Sequence, residues 1–340
     1  MSHFTHVLRK LGFFMLLLLS HSSNYAQAIG GGAIFNFLNL PYTAKTTALG
    51  GMNISALGND VGLAMYQPAL LDAAMDGQLQ LSIKPYLASI NQYDLSTVFV
   101  SANKKLVFAG GVHYLDYGNI TMTDIAGNVL GSLHPNDYML QWSAATTYKT
   151  NFHIGTNIKY IQSNYGLYNA SGIAMDVGLN FVPDNALSQA SILISNIGVP
   201  LKQYGSYEHL PFNIILGFSK KLAYAPLQFS ITAQRLSIWN TSYNDIRLSA
   251  IEGIAAPSEM KNVLNHLILG ASWQIGNQVN IDMGYNFLRR YDLNIQNQTN
   301  GLNGLSTGIT GKINNTTIQY ANSFFQHQLS HHITIAHRVF

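Results

Sequence analysis

The sequence contains no cysteine and few charged residues. None of its 340 residues is cysteine, which excludes disulfide scaffolds, cysteine-ligated metal sites, thiol nucleophiles and an amino-terminal lipid anchor on cysteine. Charged side chains make up 10% of the chain and hydrophobic ones 47%, whereas ordinary soluble domains carry about 25% charged residues. A water-exposed surface does not account for this balance.

The chain also lacks a basic excess and a long apolar run. Its 18 basic and 15 acidic residues give a net charge of +3, which argues against a nucleic-acid partner because such partners require a basic stripe. No stretch approaches the roughly 18 consecutive apolar residues of a membrane-spanning helix. Membrane residence would therefore require a β-barrel.

The first 28 residues have the pattern of a secretory signal. Arg9 and Lys10 precede the apolar run 11–19, and Ala26 and Ala28 supply the small residues that a signal peptidase reads. The alternative is a transmembrane anchor, but nine residues at about 1.5 Å each do not cross about 30 Å of hydrocarbon. We therefore predict a cleaved signal over 1–28 and an exported mature chain.

From about Leu79 onward, apolar residues recur at every second position. This is the spacing at which a strand sends neighbouring side chains to opposite faces. One example has five apolar residues separated by small or polar ones: Ile173, Met175, Val177, Leu179 and Phe181. The pattern predicts strands with one apolar and one polar face.

Alternation and turn residues together divide the chain into fourteen predicted strands, an even number as in bacterial single-chain membrane barrels. The connections alternate between short ones and mostly longer ones, as periplasmic turns and extracellular loops do. We therefore predict an all-β fold, a 14-stranded antiparallel transmembrane β-barrel over 79–340 in the outer membrane. The predicted strands are 79–90, 94–101, 106–116, 138–148, 152–163, 172–182, 190–197, 212–222, 227–238, 263–275, 278–287, 304–313, 316–325 and 331–340.

Residues 29–78 lack this alternation. They begin with glycines 30–32 and continue through a tract of small residues. We predict that this segment folds into the barrel lumen as a hatch or plug. A periplasmic tail is the alternative.

The same segment carries a resemblance to a known family. The run Phe37–Gly51, followed by Asp60 and by Gln67–Leu71, resembles the amino-terminal signature of the PorV/PorQ group of Bacteroidetes outer-membrane proteins, which are related in fold to the fatty-acid transporter FadL. Length and the glycine-rich start are most similar to the PorQ branch. The chain departs from the group's pattern at Gln67, where Asn is common, and at Lys45, where Arg is common.

The resemblance implies a FadL-like barrel with an N-terminal hatch that works in the attachment complex of the type IX secretion system. Its partners would be PorU, PorV and the cell-surface protein PorZ, which it would hold at the membrane, with outer-membrane lipid around the barrel. The matching hatch residues are Asn39, Ala44, Gly50, Gly51, Asp60, Pro68 and Ala69.

Motifs for catalysis and metal binding are weak. Residues 304–308 match the G-x-S-x-G pattern of hydrolases, but they lie within a predicted strand instead of the strand-turn-helix context that this nucleophile needs. His327, His331, His332 and His337 cluster near the C-terminus, yet adjacent histidines on a strand point to opposite faces. We predict no enzyme activity, no cofactor and no metal site.

The long loops are better candidates for function. Exposed aromatic and arginine side chains anchor protein interfaces, although at strand ends the same residues also contact lipid headgroups. We predict an anchor that binds a cell-surface protein through these loops, and a FadL-like transporter of a hydrophobic small molecule is the alternative. The predicted partner-binding residues are Tyr204, Tyr207, Glu208, Trp239, Tyr243, Arg247, Arg289, Arg290 and Tyr291.

Overall fold

The computed structural model describes residues 33–86, 88–205, 208–239, 259–293, 302–325 and 328–339. The predicted signal, the strand end at Phe340 and three of the predicted loop residues, Tyr207, Tyr243 and Arg247, lie outside these ranges. No helix in them is long and apolar enough to span a membrane.

Fourteen antiparallel strands form one closed barrel, as predicted. Each barrel strand pairs with the next one along the chain, and the first strand pairs with the last to close the ring. The barrel strands are β1 (Gln78–Pro85), β2 (Asn91–Val100), β3 (Leu106–Asp116), β6 (Asn136–Tyr148), β7 (Phe152–Tyr165), β8 (Tyr168–Phe181), β9 (Ser188–Lys202), β10 (Asn213–Lys221), β11 (Leu227–Ala233), β12 (Leu267–Ile275), β13 (Val279–Asn286), β14 (Leu305–Ile313), β15 (Thr316–Phe325) and β16 (Gln328–Arg338).

The two ends of the barrel differ. At one end, the short-turn end, six connections of a few residues join the strands, and β1 begins and β16 ends there. The other end, the long-loop end, carries a few short connections, such as 166–167, and all of the longer ones. One of them includes a separate two-stranded hairpin of β4 (Ile120–Thr123) and β5 (Val129–Leu133).

The wall has one apolar and one polar face. On β1, Leu79, Leu81 and Ile83 are 42–46% exposed, whereas Gln80 and Ser82 between them are buried. All fourteen strands lie in one closed ring, so the exposed apolar set is the outer surface and the buried polar set faces the lumen. A bilayer solvates an apolar outer surface of this kind.

Residues 33–77 precede β1 and form short helical pieces. Helix α1 (Ala44–Ala48) begins at Thr43, whose hydroxyl accepts a hydrogen bond from the Thr46 N–H. Helix α2 (Val61–Tyr66) begins at Asp60, whose carboxylate accepts one from the Leu63 N–H. Side-chain oxygens at these positions satisfy amides that the first turn leaves without a partner.

Several predicted strand ends were wrong. Residues 263–265 belong to a helix, α3 (Glu259–Asn265), and β11 ends at Ala233 instead of at 238. Phe287 begins helix α4 (Phe287–Asp292), because the Asn286 side chain accepts from the Arg289 N–H and ends the strand. The predicted loop 164–171 shrinks to a turn at 166–167, since β7 and β8 continue to Tyr165 and Tyr168.

Candidate functional site: the lumen and the N-terminal segment

The N-terminal segment, residues 33–77, contacts the inner wall on widely separated strands. Wall amides hold its backbone carbonyls: Gln92 donates to Pro41 O at 2.8 Å and Gln141 to Met65 O at 2.7 Å. Three strands farther round the ring from β6, Gln189 on β9 donates to Ser55 O at 2.7 Å. The segment therefore runs through the lumen, hydrogen-bonded to β2, β6 and β9.

Hydroxyl contacts continue around the wall. Ser55 and Ser219 on β10 have their Oγ atoms 2.9 Å apart, and the Asn53 side chain donates to Ser230 Oγ on β11 at 2.8 Å. The Ala44 N–H donates to Thr334 Oγ1 on β16 at 2.9 Å. These buried polar groups are paired across the boundary between segment and wall, as buried polar groups must be.

Wall glycines allow the segment to approach closely. A methyl carbon at Gly284 would lie 2.1 Å from Gly50 N, and one at Gly155 would lie 2.4 Å from the Pro68 carbonyl carbon. At Gly178 it would lie 1.8 Å from Gln67 Oε1. A side chain at these positions would displace the segment, so glycine is required for this packing.

Most of the residues of the predicted hatch motif make these contacts. Gly50 and Gly51 have positive φ of 97° and 98°, which glycine adopts without strain. The Gly50 carbonyl accepts hydrogen bonds from Asn286 and from Arg289, each at 3.0 Å. The remaining members without charge are Ala44, Pro68 and Ala69, which are buried, and Asn39, which ends a short helical turn.

Asp60 connects the segment to the wall. One carboxylate oxygen begins α2 through the Leu63 N–H at 3.0 Å, and the other accepts from Gln319 Nε2 on β15 at 2.6 Å. The Asp60 side chain thus serves both the local helix and the tertiary contact. The sequence pattern singled out Asp60, whereas its wall partner carried no motif.

The lumen wall also contains a buried ion pair. Lys159 Nζ on β7 lies 2.7 Å from Asp176 Oδ2 on β8, and the same oxygen accepts from Asn157 at 2.8 Å. Asp176 Oδ1 accepts the backbone N–H of Asn196 at a bulge in β9, where Asn196 has φ of 59°. The alternation in the sequence predicted that Asp176 faces the lumen. Its partners on β7 and β9 could not be predicted, because strand register is defined only in the folded barrel.

A second buried polar cluster lies toward the long-loop end. Asp94 binds His113 through one carboxylate oxygen and accepts from Gln92 through the other at 2.7 Å. The His113 ring stacks on Phe37 of the N-terminal segment, with ring centroids 5.6 Å apart, and packs against Tyr42 at 5.0 Å. Aromatic packing thus fixes the first part of the segment on β2 and β3.

A cavity of about 540 Å³ opens below the segment at the short-turn end. Its lining is mostly amide, hydroxyl and charged, with few apolar side chains. The charged residues that line it are Lys45, Asp60, Lys221, Asp282, Lys312 and Arg338.

The described partner-binding candidates differ in exposure: the Trp239 ring is exposed, whereas Tyr204, Arg290 and Tyr291 are partly buried. Trp239 is 63% exposed and stacks on His266 with ring centroids 5.5 Å apart, so its ring is available at the long-loop end. Tyr204 packs against Tyr165, and its backbone N–H donates to the Glu208 carboxylate at 3.1 Å. Arg290 and Tyr291 lie on α4 and are partly buried.

Arg289, one of the predicted partner-binding residues, lies against the N-terminal segment. Its guanidinium points inward and donates to Gly50 O at 3.0 Å and to Ser306 Oγ at 2.9 Å, because α4 folds over the wall. Burial lowers the pKa of Arg289 to about 10, which leaves it charged at neutral pH. Arg289 thus holds the segment.

The C-terminal histidines face different directions, as strand geometry predicts. His332 is buried and contacts Thr47 Oγ1 and Ser82 Oγ, each at 2.8 Å, whereas His331 is exposed and contacts the Tyr320 hydroxyl. His327 lies outside the described residues. Within the described ranges, no group of three or more acidic or histidine side chains is placed to hold a metal.

Comparisons with known proteins find similarity in fold. No protein-family model matches the chain, and no curated protein matches it in sequence. Among solved structures, it is similar to the CymD monoaromatic hydrocarbon channel, with a TM-score of 0.53 and 12% identity over 89% of this chain and 97% of that one.

Two further solved structures show the same likeness. A TodX monoaromatic hydrocarbon channel mutant has a TM-score of 0.51 and 13% identity over 88% of this chain and 97% of that one. A Pseudomonas aeruginosa FadL homologue has a TM-score of 0.51 and 10% identity over 88% and 98%. The chain therefore has the fold of the FadL-type outer-membrane barrels.

Proposed function

We propose that this protein is an outer-membrane transporter that passes a hydrophobic small molecule through a lumen closed by its N-terminal segment. The observation that supports this proposal is the way in which the lumen is filled. About eight strands enclose only enough space for their own side chains, and larger barrels enclose channels or ligand cavities. Here fourteen strands are closed by a separate piece of the same chain, held by hydrogen bonds and close glycine contacts.

The segment has the properties of a displaceable hatch. Its apolar residues pack against the few apolar side chains of the inner wall, such as Met139, Ile215 and Ile268. A polar cavity already leads from the short-turn end to the lower face of the segment. Movement of the segment would join that cavity to the long-loop end. The similar solved structures named as hydrocarbon channels favour a monoaromatic hydrocarbon as the first solute to test.

A disulfide lock between positions 55 and 219 tests this proposal. The chain has no cysteine, and the Oγ atoms of Ser55 and Ser219 lie 2.9 Å apart, so Ser55→Cys with Ser219→Cys places two sulfur atoms within bonding reach. We expect cells that carry the oxidised double variant to lose uptake of labelled toluene, and reductant to restore it. The single variants, treated with the same oxidant, are the controls and should take up toluene normally.

Two results would reject transport by hatch movement. One is toluene uptake by the oxidised double variant at the rate of the single variants. The other is a wild-type rate no greater than that of cells without the protein.

A second candidate function is the anchoring of a cell-surface protein, as in the attachment complex that the N-terminal motif implies. One observation favours it: the β4–β5 hairpin stands apart from the barrel sheet and presents Ile125, Val129 and Leu130 to solvent. Exposed apolar side chains on an ordered protrusion are suited to a protein interface.

Affinity capture tests the anchor. A tagged protein taken from solubilised outer membranes should bring down a stoichiometric surface protein of the PorZ type. A variant with 120–133 replaced by a short glycine-serine turn should lose it, whereas oxidation of the engineered disulfide lock should leave capture unchanged. Recovery of the barrel alone would reject the anchor.

A further inference from the structure

Two cations, Lys84 and Arg289, face the lumen near the long-loop end, and no described carboxylate forms an ion pair with either. The Lys84 side chain is 3% exposed, and its ammonium lies 4.7 Å from the centre of the Tyr86 ring. The Arg289 guanidinium lies 5.3 Å from the centre of the Phe325 ring and donates to Ser306 Oγ and to Gly50 O. In the part of the chain that the structure describes, neither cation belongs to an ion pair.

The two charges repel each other, since both lie at the long-loop end of the lumen, Lys84 near the end of β1 and Arg289 in α4 directly after β13. Asp94 also acts on Lys84, but its two oxygens are already engaged by His113 and Gln92. Placing two like charges together in a poorly solvated site is unfavourable unless a negative group accompanies them. Asp94 is therefore already committed to His113 and Gln92, and a further anion would offset the remaining positive charge.

Strand register places a row of hydroxyls between these cations. Ser306 on β14 pairs with Ser323 on β15, and Ser323 pairs with Ser330 on β16, so the three side chains lie side by side on the inner face. Ser323 is fully buried, and the Oγ atoms of Ser323 and Ser330 have no hydrogen-bond partner within the described ranges. Buried hydroxyls without partners are rare, and each calls for an explanation.

We propose that Lys84, Arg289, Ser323 and Ser330 form a binding site for a small oxyanion, a phosphate or a carboxylate group. Each of the four supplies an N–H or O–H donor, and charge-assisted bonds to an oxyanion are the strongest that these groups make. The anion would accept hydrogen bonds from the Ser323 and Ser330 hydroxyls and offset the positive charge of the two cations. It would also join α4 to the segment, because Arg289 already binds Gly50 O.

Binding of inorganic phosphate to the full chain in detergent tests the site. With chloride replaced by phosphate at constant ionic strength, we expect the unfolding midpoint of the wild type to rise by about 3 °C or more, since a ligand that binds only the folded state stabilises it. The measurement does not depend on passage of any solute, so its failure and that of the proposed transport are distinguishable.

Variants locate the site. Ser323→Ala removes a donor at nearly constant volume, and Lys84→Gln removes one charge; we expect each to weaken phosphate binding by about tenfold. Lys105→Gln is the matched control, because Lys105 is an exposed cation in the short turn between β2 and β3. It should bind phosphate like the wild type.

Butyl phosphate separates two sources of the oxyanion. Binding about tenfold tighter than inorganic phosphate would assign the site to the headgroup of an amphiphile, and equal binding would assign it to the free ion; both support an oxyanion site. A wild type that phosphate does not stabilise would overturn the proposal. Full responses in both Ser323→Ala and Lys84→Gln would also overturn it.

Discussion

At the scale of single residues, the absence of side chains decides how the lumen is filled. Three inward glycines of the wall, Gly155, Gly178 and Gly284, lie directly against the segment. A side-chain carbon added at any of them would come closer to a segment atom than van der Waals contact allows. Glycine normally weakens a strand. Here the absence of a side chain leaves room for the segment. In the sequence, these glycines look like any other residue on the polar face of a strand.

Gly284→Ala should expel the segment near α1. The added carbon would meet Gly50 N at 2.1 Å, backbone that cannot rotate away, and such overpacking costs about 1–3 kcal/mol. Lys45 is the only trypsin site in residues 33–77, so we expect faster cleavage after Lys45. Gly311→Ala, with no atom within 4 Å, should match the wild type; equal cleavage of both variants would contradict the packing described here.

At the scale of elements, the β4–β5 hairpin is held by its own turn. Asp124 accepts the backbone N–H groups of Ala126 and Asn128, at 2.9 and 2.8 Å, and the Asn128 side chain. An isolated two-stranded hairpin is marginally stable in water. The Asp124 carboxylate therefore carries much of the local order that presents Ile125.

Asp124→Ala should loosen the hairpin without affecting the barrel. We expect hydrogen exchange of amides in 120–133 to accelerate by about tenfold, since loss of the turn's hydrogen bonds raises the population of the open hairpin. Hydrogen bonds from Asn128 lower the pKa of Asp124, so in the wild type this support is complete at neutral pH and is lost as the pH falls through the lowered pKa. Asp184→Ala, at the opposite end of the barrel, is the control; an unchanged hairpin in Asp124→Ala would show that other contacts hold it.

At the scale of the whole molecule, the exposed apolar belt is the main argument for a membrane environment. Outward residues of β8 such as Ile173 and Met175 are 45% and 40% exposed, whereas the inward Asp176 and Asn180 of the same strand are buried. A surface with this pattern around the whole ring is stable in lipid and prone to associate in water.

Met175→Arg should destabilise the protein in vesicles by about 2–4 kcal/mol, because Met175 lies near the middle of β8 and would hold a charge in hydrocarbon. Phe181→Arg, on the same outer face at the short-turn end of the strand, should cost about 0–1 kcal/mol. Urea titration of the folded fraction in vesicles measures both. Equal costs at the two positions would exclude a bilayer centred on the strands.

Local patterns in the sequence determined the wall. Alternation at period two identified all fourteen strands and the face of residues such as Met175 and Asp176, because strand geometry sends neighbouring side chains to opposite sides. The predicted strand ends were wrong where a side-chain hydrogen bond ends the strand, as that of Asn286 does before α4. Motif comparison singled out Gly50 and Asp60 of the segment but none of their wall partners.

Only the tertiary structure decided what occupies the lumen. The contacts of Gly50 with Arg289, of Asp60 with Gln319, and of Ser55 with Ser219 join residues that lie 239, 259 and 164 positions apart. Which residues meet at such separations depends on barrel closure and strand register, and neither is encoded by periodicity within one strand. The same closure turned Arg289 from a predicted surface residue into an internal contact of the segment.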